Sequence, residues 1–157
     1  MPKAGYWSIG GYAISFRKDG RWYADEEVVE NERISRLFSQ HVQSDGEGGW
    51  VIDIGIDRQP VTVEDTPLVV TAIEGDTKTG FRVTTNDGVA GPLDPQTLTT
   101  GVDNVLYCDV ERGERGVMAS RFLRGPYYEL AQFVTEIDGV PVLEIAGKRH
   151  RLDLQRD

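Results

Sequence analysis

The stretch that decides the fold is NERISRLFSQHV, residues 31–42, because it predicts one amphipathic helix between two β-hairpins. Asn31 is a good N-cap residue, and Glu32 follows it at the positive end of the helix dipole. Apolar or neutral side chains recur at the spacing of a single helix face: Ile34, Leu37, Phe38, His41 and Val42. We therefore expect this face to pack against a sheet.

Alternating patterns on either side of this helix predict strands. Residues 12–16 alternate, Lys18-Asp19-Gly20 makes a turn, and residues 21–24 return as a second strand. After the helix, residues 50–56 and 59–64 form the next predicted hairpin. Residues 1–65 thus predict one ββαββ unit.

The same order of elements recurs later in the chain. An offset of 93 residues aligns Gly20 with Gly113 and Leu37 with Leu130, and an offset of 91 aligns the hairpins that follow. The fold predicted is α+β, with two related ββαββ units of antiparallel sheet and one helix each, joined by a β-hairpin. The boundaries are 1–65 for the first unit, 66–103 for the connecting hairpin and loop, and 104–157 for the second unit. The two ββαββ units are small, so we expect them to pack as one compact domain. The alternative to a repeat is a chance similarity of two hairpin–helix–hairpin segments.

Composition excludes several classes of function. The 157 residues include 26 acidic and 17 basic ones, a net charge of −9, which disfavours nucleic acid and anionic membranes as partners. No run reaches the ~20 apolar residues of a membrane span, and no export signal opens the sequence, so we expect a cytoplasmic protein. Cys108 is the single cysteine and there are 2 histidines, which excludes an intrachain disulfide and argues against a histidine-rich metal site. No cofactor is predicted.

No catalytic motif is present, which favours a non-catalytic function. One enzyme alternative remains open, because four carboxylates on neighbouring predicted strands are of the type that binds a divalent metal. They are Asp53, Asp57, Glu64 and Asp65. Asp53 lies opposite Ile52 and Ile54 in strand alternation, so these carboxylates equally fit a solvated face.

Several short motifs, in order, resemble the bacterial family of domains of unknown function DUF1285. The motifs are Asp19-Gly20-Arg21-Trp22-Tyr23, Arg36-Leu37-Phe38-Ser39, Val63-Glu64-Asp65-Thr66-Pro67, Thr85-Asn86, and Arg121 before Tyr127-Tyr128-Glu129-Leu130. The resemblance implies a two-unit α+β fold with repeated motifs. It also implies a role in ligand sensing or signalling without an established enzyme activity.

We therefore predict a bacterial, non-catalytic module that binds a small molecule or a protein in a groove between the two units. The candidate contacts lie near strand ends or in the resembling motifs: Arg58, Asn86, Tyr107 and Arg121. Arginine forks favour an anionic ligand, although in so acidic a chain each arginine fits a salt bridge equally well. A protein-interaction module without a ligand pocket is the second alternative.

Overall fold

The structure is a computed structural model, and it describes residues 11–156. The chain divides into two compact units between Pro67 and Leu68. Unit 1 contains β1 (Ile14–Phe16), β2 (Trp22–Ala24), β3 (Glu27–Val28), α1 (Glu32–His41), β4 (Val42–Ser44), β5 (Trp50–Asp53) and β6 (Arg58–Val63).

Unit 2 contains nine more strands, one α-helix and three 3₁₀ helices within the described residues. They are β7 (Leu68–Asp76), β8 (Gly80–Thr85), β9 (Ala90–Pro92), η1 (Pro95–Thr97), β10 (Thr99–Thr100), η2 (Val102–Asn104), β11 (Leu106–Glu111), η3 (Gly113–Arg115), β12 (Val117–Phe122), α2 (Arg124–Ala131), β13 (Val134–Ile137), β14 (Val140–Ile145) and β15 (Lys148–Arg151).

Two six-stranded sheets repeat one topology. Sheet 1 has the strand order β3-β2-β1-β6-β5-β4, and sheet 2 has the order β9-β8-β7-β12-β11-β10, so each strand n corresponds to strand n+6. In both sheets the two central strands are parallel and their other neighbours antiparallel. The same backbone hydrogen bond follows each central pair, from Glu64 N–H to Phe16 O at 2.9 Å and from Leu123 N–H to Val70 O at 3.1 Å. The predicted α+β class with two related sheet units is confirmed.

The repeat differs in detail from the predicted one. The segment 66–103 supplies β7, β8 and β9, which form the first half of sheet 2, and the edge strand β10 of its second half. The hairpin at the end of the chain joins β13 in a separate three-stranded sheet. Each sheet is mixed, because the last strand of its second half returns beside the first strand of its first half. Strand alternation in a sequence does not reveal such long-range parallel partners.

Sheet 1 has a hydrophobic core that α1 completes. The Asn31 side chain accepts hydrogen bonds from the N–H groups of Arg33 and Ile34, which starts the helix as predicted. Phe38 is fully buried, and its ring meets that of Trp22 edge-on at 5.5 Å between centroids. The Trp22 indole N–H donates to Ser39 Oγ at 2.9 Å. The helix therefore fills the space that its sheet offers.

Sheet 2 has its own core, but the connection that corresponds to α1 is only the three-residue η1. Leu93 and Leu98, on either side of η1, are buried. No helix of the described residues is long and apolar enough to cross a membrane.

Candidate functional site

A cavity of about 470 Å³ opens within unit 2, at the side of sheet 2 where η1 connects the two halves. Residues of β8, β9, η1, β11 and β12 line it. Since β8 and β9 are separated from β11 and β12 by β7, the sheet curves around this space. Its volume lies within the range of small-molecule pockets, roughly 300–1,000 Å³.

The floor of the cavity depends on how η1 attaches to β11. The Asp94 side chain caps η1 by accepting the Gln96 N–H at 3.0 Å. The Thr97 hydroxyl donates to Asp94 O at 2.8 Å and accepts the Asp109 N–H at 3.0 Å. The short β10 pairs only with Leu106 and Tyr107 of β11, so Thr97 takes over the role of a neighbouring strand beyond that point.

The walls of the cavity are partly apolar. Val83 and Val110 are buried, whereas Val117 is 60% exposed at the mouth. Gly91 pairs with Val83 across β8 and β9, so a side chain at either position projects to the same face. A Cβ at Gly91 would meet no atom within 4 Å, so this glycine leaves room in the cavity.

One end of the cavity is closed by a buried ionic cluster of Asp87, Arg112 and Arg115, which we call the Asp87 cluster. Asp87 Oδ2 lies 2.7 Å from Arg112 Nε and 3.2 Å from Arg115 Nη2. The Asp87 side chain is 0% exposed, and the two arginines are 11% and 15% exposed. Arg112 also donates to Thr85 Oγ1 and to Glu111 O, so its guanidinium is held in one orientation.

The environment of Asp87 keeps it ionised. Burial raises the pKa of its carboxyl, but hydrogen bonds from Arg112 and Thr85, together with the Arg112 charge, outweigh burial. The net result is a pKa below the ordinary value of an aspartate. The negative charge of Asp87 therefore balances the Arg112 charge at the cavity end at neutral pH.

Three further carboxylates line the cavity: Asp94, Asp109 and Glu111. None of the three forms a salt bridge within the part of the chain that the structure describes. Asp109 and Glu111 are separated by one residue on β11, so their side chains leave the same face of the strand. Val110, between them, projects from the opposite, buried face.

Three of the four predicted contact residues lie together in unit 2, but none of the four lines this cavity. Tyr107, Arg121 and Val69 are in register across β11, β12 and β7. Asn86 continues that row, because its Oδ1 accepts the Val69 N–H at 2.9 Å. The Arg156 guanidinium lies 4.8 Å from the centre of the Tyr107 ring.

The fourth predicted residue, Arg58, begins β6 of unit 1 and pairs with Asp53 in the sheet. It therefore lies on a different sheet from the other three. A role of these four residues in binding stays a prediction.

Three of the four carboxylates of the enzyme alternative accept hydrogen bonds from backbone N–H groups. Asp53 Oδ1 accepts the Gly55 N–H at 3.0 Å, and Asp57 Oδ1 accepts the Arg58 N–H at 2.9 Å. Glu64 Oε1 accepts the Lys18 N–H at 2.8 Å. Within residues 11–156, no three His, Cys, Asp or Glu side chains converge as metal ligands would. The convergence that this alternative requires is therefore not found.

Cys108 lies fully buried in β11. Burial, followed by the charge of Asp109, raises the pKa of its thiol to about 12. A thiol with this pKa stays protonated at neutral pH, so Cys108 is a core side chain and not an activated nucleophile.

A second cavity, of about 670 Å³, lies between the β7–β8 turn and the third sheet of unit 2. Lys78, Phe133 and Glu144 are among its lining residues. It is the more open of the two, and Lys78 and Glu144 put both charge signs on its rim. It offers a ligand less enclosure than the cavity beside η1.

Local sequence patterns gave no sign of the Asp87 cluster. Asp87 belongs to Asn86-Asp87-Gly88 and the arginines to Arg112-Gly113-Glu114-Arg115, both of which are typical of turns. Their pairing joins positions 25 and 28 residues apart. The one feature of the sequence that could have indicated the Asp87 cluster is the charge in these two turns, which flank separate strands.

The fold and cavity define an α+β protein built on a repeated six-stranded mixed sheet. Among solved structures, the chain resembles a DUF1285 family protein from Silicibacter pomeroyi DSS-3, with a TM-score of 0.68 and 19% identity over 90% of this chain and 79% of that one. It also resembles a DUF1285 family protein from Shewanella baltica OS155, with a TM-score of 0.60 and 18% identity over 78% of this chain and 92% of that one. No family model and no curated protein matches the sequence. The resemblance to DUF1285 that the motifs predicted is confirmed at the level of the fold.

Proposed function

We propose that this protein is a non-catalytic ligand-binding module, and that its small ligand occupies the cavity beside η1 in unit 2. The observation that carries the proposal is the difference between the two sheets. Where sheet 1 has a helix packed into its core, sheet 2 has a three-residue turn and an open cavity. Open volume at that position is the feature that a ligand site requires.

The chemistry of the lining supports binding rather than covalent catalysis. The lining contains carboxylates, one paired guanidinium, a threonine and apolar side chains. Serine, cysteine, lysine and histidine, which most often act as nucleophiles or general bases, are absent from it. The Thr97 hydroxyl is engaged with Asp94 and Asp109.

A signalling role is the finer part of the proposal. Arg112 touches the cavity and the buried Asp87 at once, so a ligand that displaces Arg112 also disturbs the β8–β9 turn. We infer that ligand occupancy is passed on in this way to a partner in the bacterial cytoplasm.

The test uses a side chain that fills the cavity without straining the backbone. Gly91 has an ordinary negative-φ conformation and open space at its Cβ, so Gly91→Leu places four carbons in the cavity. Gly125→Leu is the matched control, because Gly125 is exposed on α2, has the same freedom and lines neither cavity.

A panel of small cations, anions, zwitterions and neutral compounds is screened against the wild type by ligand-observed NMR and thermal shift. We expect at least one compound whose binding Gly91→Leu abolishes and Gly125→Leu leaves intact, with both variants retaining the wild-type circular dichroism. Binding that survives Gly91→Leu, or a panel without any binder, would contradict the proposal.

A further inference from the structure

We infer that the outer edge of β15 is a docking surface for an acidic peptide, which adds to the three-stranded sheet of unit 2 as a further antiparallel strand. We call this surface the basic edge, and it consists of Lys148, Arg149, His150 and Arg151. None of these residues lines either of the two cavities described above, so the basic edge is a site separate from the proposed ligand site.

The backbone of the basic edge has open hydrogen-bonding groups. Just beyond β15, the Leu152 N–H donates to Pro141 O at 2.9 Å, which fixes the side of the strand that bonds to β14. Because that side alternates along an antiparallel strand, Arg149 and Arg151 turn their N–H and C=O groups away from β14. Within residues 11–156 these groups make no backbone hydrogen bond. They are the groups that an added strand would pair with.

Other sheet edges of unit 2 are less suited to an acidic strand. In β9, Pro92 has no N–H group to donate. The outer side of β10 is covered by the end of the chain, since the Thr100 N–H donates to Leu154 O and the Arg156 N–H donates to Thr100 O, both at 2.8 Å. The far edge of the three-stranded sheet, β13, carries Glu136. The open backbone and the positive charge coincide at β15.

The side chains of the basic edge carry more positive charge than their neighbours cancel. Arg149 lies 3.7 Å from Glu144 and is 67% exposed, and Arg151 lies 2.6 Å from Asp153 and is 63% exposed. Lys148 is also exposed. Three cationic side chains thus meet two carboxylates, in a chain whose net charge is −9. This local excess favours a negatively charged partner.

The charge also decides which strand can pair. Cationic side chains on an edge strand commonly prevent unwanted association, and a second copy of β15 would place like charges opposite each other. Glutamates at alternate positions of an added strand would instead lie opposite Arg149 and Arg151, which project from one face. Such a strand gains charge-assisted contacts together with backbone hydrogen bonds. A nucleic acid would use the charge but leave the backbone groups of the edge unpaired.

The test is an amide NMR titration of the full chain with a capped hexapeptide of alternating glutamate and valine. One control peptide has lysine in place of glutamate, and a second is the acidic peptide N-methylated at its glutamates, which keeps the charge but removes the N–H groups that face β15. We expect saturable shifts at residues 148–151 with the acidic peptide only. Amide hydrogen exchange at Arg149 and Arg151 should slow in its presence, because these N–H groups become bonded.

Substitutions at the edge test the contribution of charge. Arg149→Gln and Arg151→Gln should each weaken binding of the acidic peptide about two- to fivefold, the range of exposed ion pairs. The matched control Arg33→Gln removes one positive charge from an exposed position on α1 and should leave binding unchanged. All three side chains are outside the core, so the wild-type circular dichroism should persist.

Three results would overturn the inference. The first is failure of the acidic peptide to bind, and the second is equally tight binding of the N-methylated peptide, which would show that charge alone attracts it. The third is an oligothymidylate that shifts residues 148–151 when the acidic peptide does not, which would make the edge a nucleic-acid surface. Gly91→Leu, which fills the cavity beside η1, should leave peptide binding unchanged, so this inference and the proposed function can fail separately.

Discussion

Sheets 1 and 2 share one strand order, yet they use the connection between their halves in opposite ways. In sheet 1 the ten-residue α1 packs Phe38 against Trp22 in the core. In sheet 2 the three-residue η1 spans the same topological gap, and a cavity of about 470 Å³ remains beside it. The same arrangement of strands thus packs against a helix in unit 1 and borders a cavity in unit 2.

The polar contacts that accompany each connection differ in the same way. Sheet 1 uses a neutral hydrogen bond, from the Trp22 indole to Ser39, inside an aromatic core. Sheet 2 uses the Asp87 cluster, whose charges are buried but lie next to an opening. Buried charge is costly unless paired, and here Arg112 and Arg115 both pair with Asp87.

The largest loss of stability is expected from removing the buried ring of Phe38 from α1. Phe38→Ala should lower the free energy of unfolding by about 3–5 kcal/mol, because it deletes a fully buried ring. Val117→Ala, at the exposed mouth of the cavity, should change it by less than about 1 kcal/mol. Urea unfolding followed by circular dichroism measures both, and tryptophan fluorescence adds a probe of unit 1, where Trp22 and Trp50 lie. Equal losses in the two variants would refute the contrast between filled and open connections.

Breaking the ionic cluster should be nearly as costly. Asp87→Ala leaves the Arg112 and Arg115 charges buried without their partner, and a loss of about 3–5 kcal/mol is typical of such a change. Glu114→Ala removes the same charge from an exposed position between those arginines and should stay within about 0.5 kcal/mol. Urea titrations of the wild type and both variants measure these changes in the free energy of unfolding. A mild effect of Asp87→Ala would mean that the cluster does not hold the cavity end together.

The pH dependence of stability should report on the same cluster. Because the pKa of Asp87 is lower in the folded state than the ~3.9 of an unfolded aspartate, its contribution is complete above about pH 4 and is lost as the pH falls through the folded value. Asp87→Asn should therefore show a flatter decline of stability below pH 4 than the wild type. Urea unfolding at a series of pH values between about 2.5 and 6, the range in which carboxyl groups titrate, measures the two slopes. Parallel slopes would show that Asp87 does not titrate with folding.

The smallest effect compares the two caps. Asn31→Ala removes an acceptor for two N–H groups of α1 and should cost about 1 kcal/mol. Asp94→Ala removes an acceptor for one N–H group of the much shorter η1 and should cost less, about 0.5 kcal/mol. Thermal unfolding by calorimetry resolves the order of the two. If Asp94→Ala is the more harmful, η1 stabilises sheet 2 more than its length indicates.

Sequence patterns predicted the local elements well and their long-range partners poorly. The Asn31 cap, the apolar face of α1 and the turn at η1 follow from spacing and cap chemistry, which act within a few residues. In the second helical region, α2 ends at Ala131 and β13 follows, because Val134, Thr135 and Ile137 favour a strand and Asp138-Gly139 makes its turn.

Those sequence patterns could not predict the candidate cavity, for a related reason. The offset comparison aligned the two α-helices, whereas the strand order makes η1 the counterpart of α1. Finding that counterpart requires knowing that β7 and β12 are parallel neighbours, although some 50 residues separate them. Asp87 and Arg112 likewise meet only after the sheet has formed.

The most direct test of this account is a residue-resolved map of amide shifts, measured as the wild type is saturated with the strongest binder from the ligand panel. We predict that the shifts centre on residues 91–97 and 109–112, around the cavity, and leave Trp22 and Phe38 in the packed core of unit 1 unchanged. A map centred on the Tyr107–Arg121 row, or on unit 1, would contradict the claim that the open connection of sheet 2 is the ligand site.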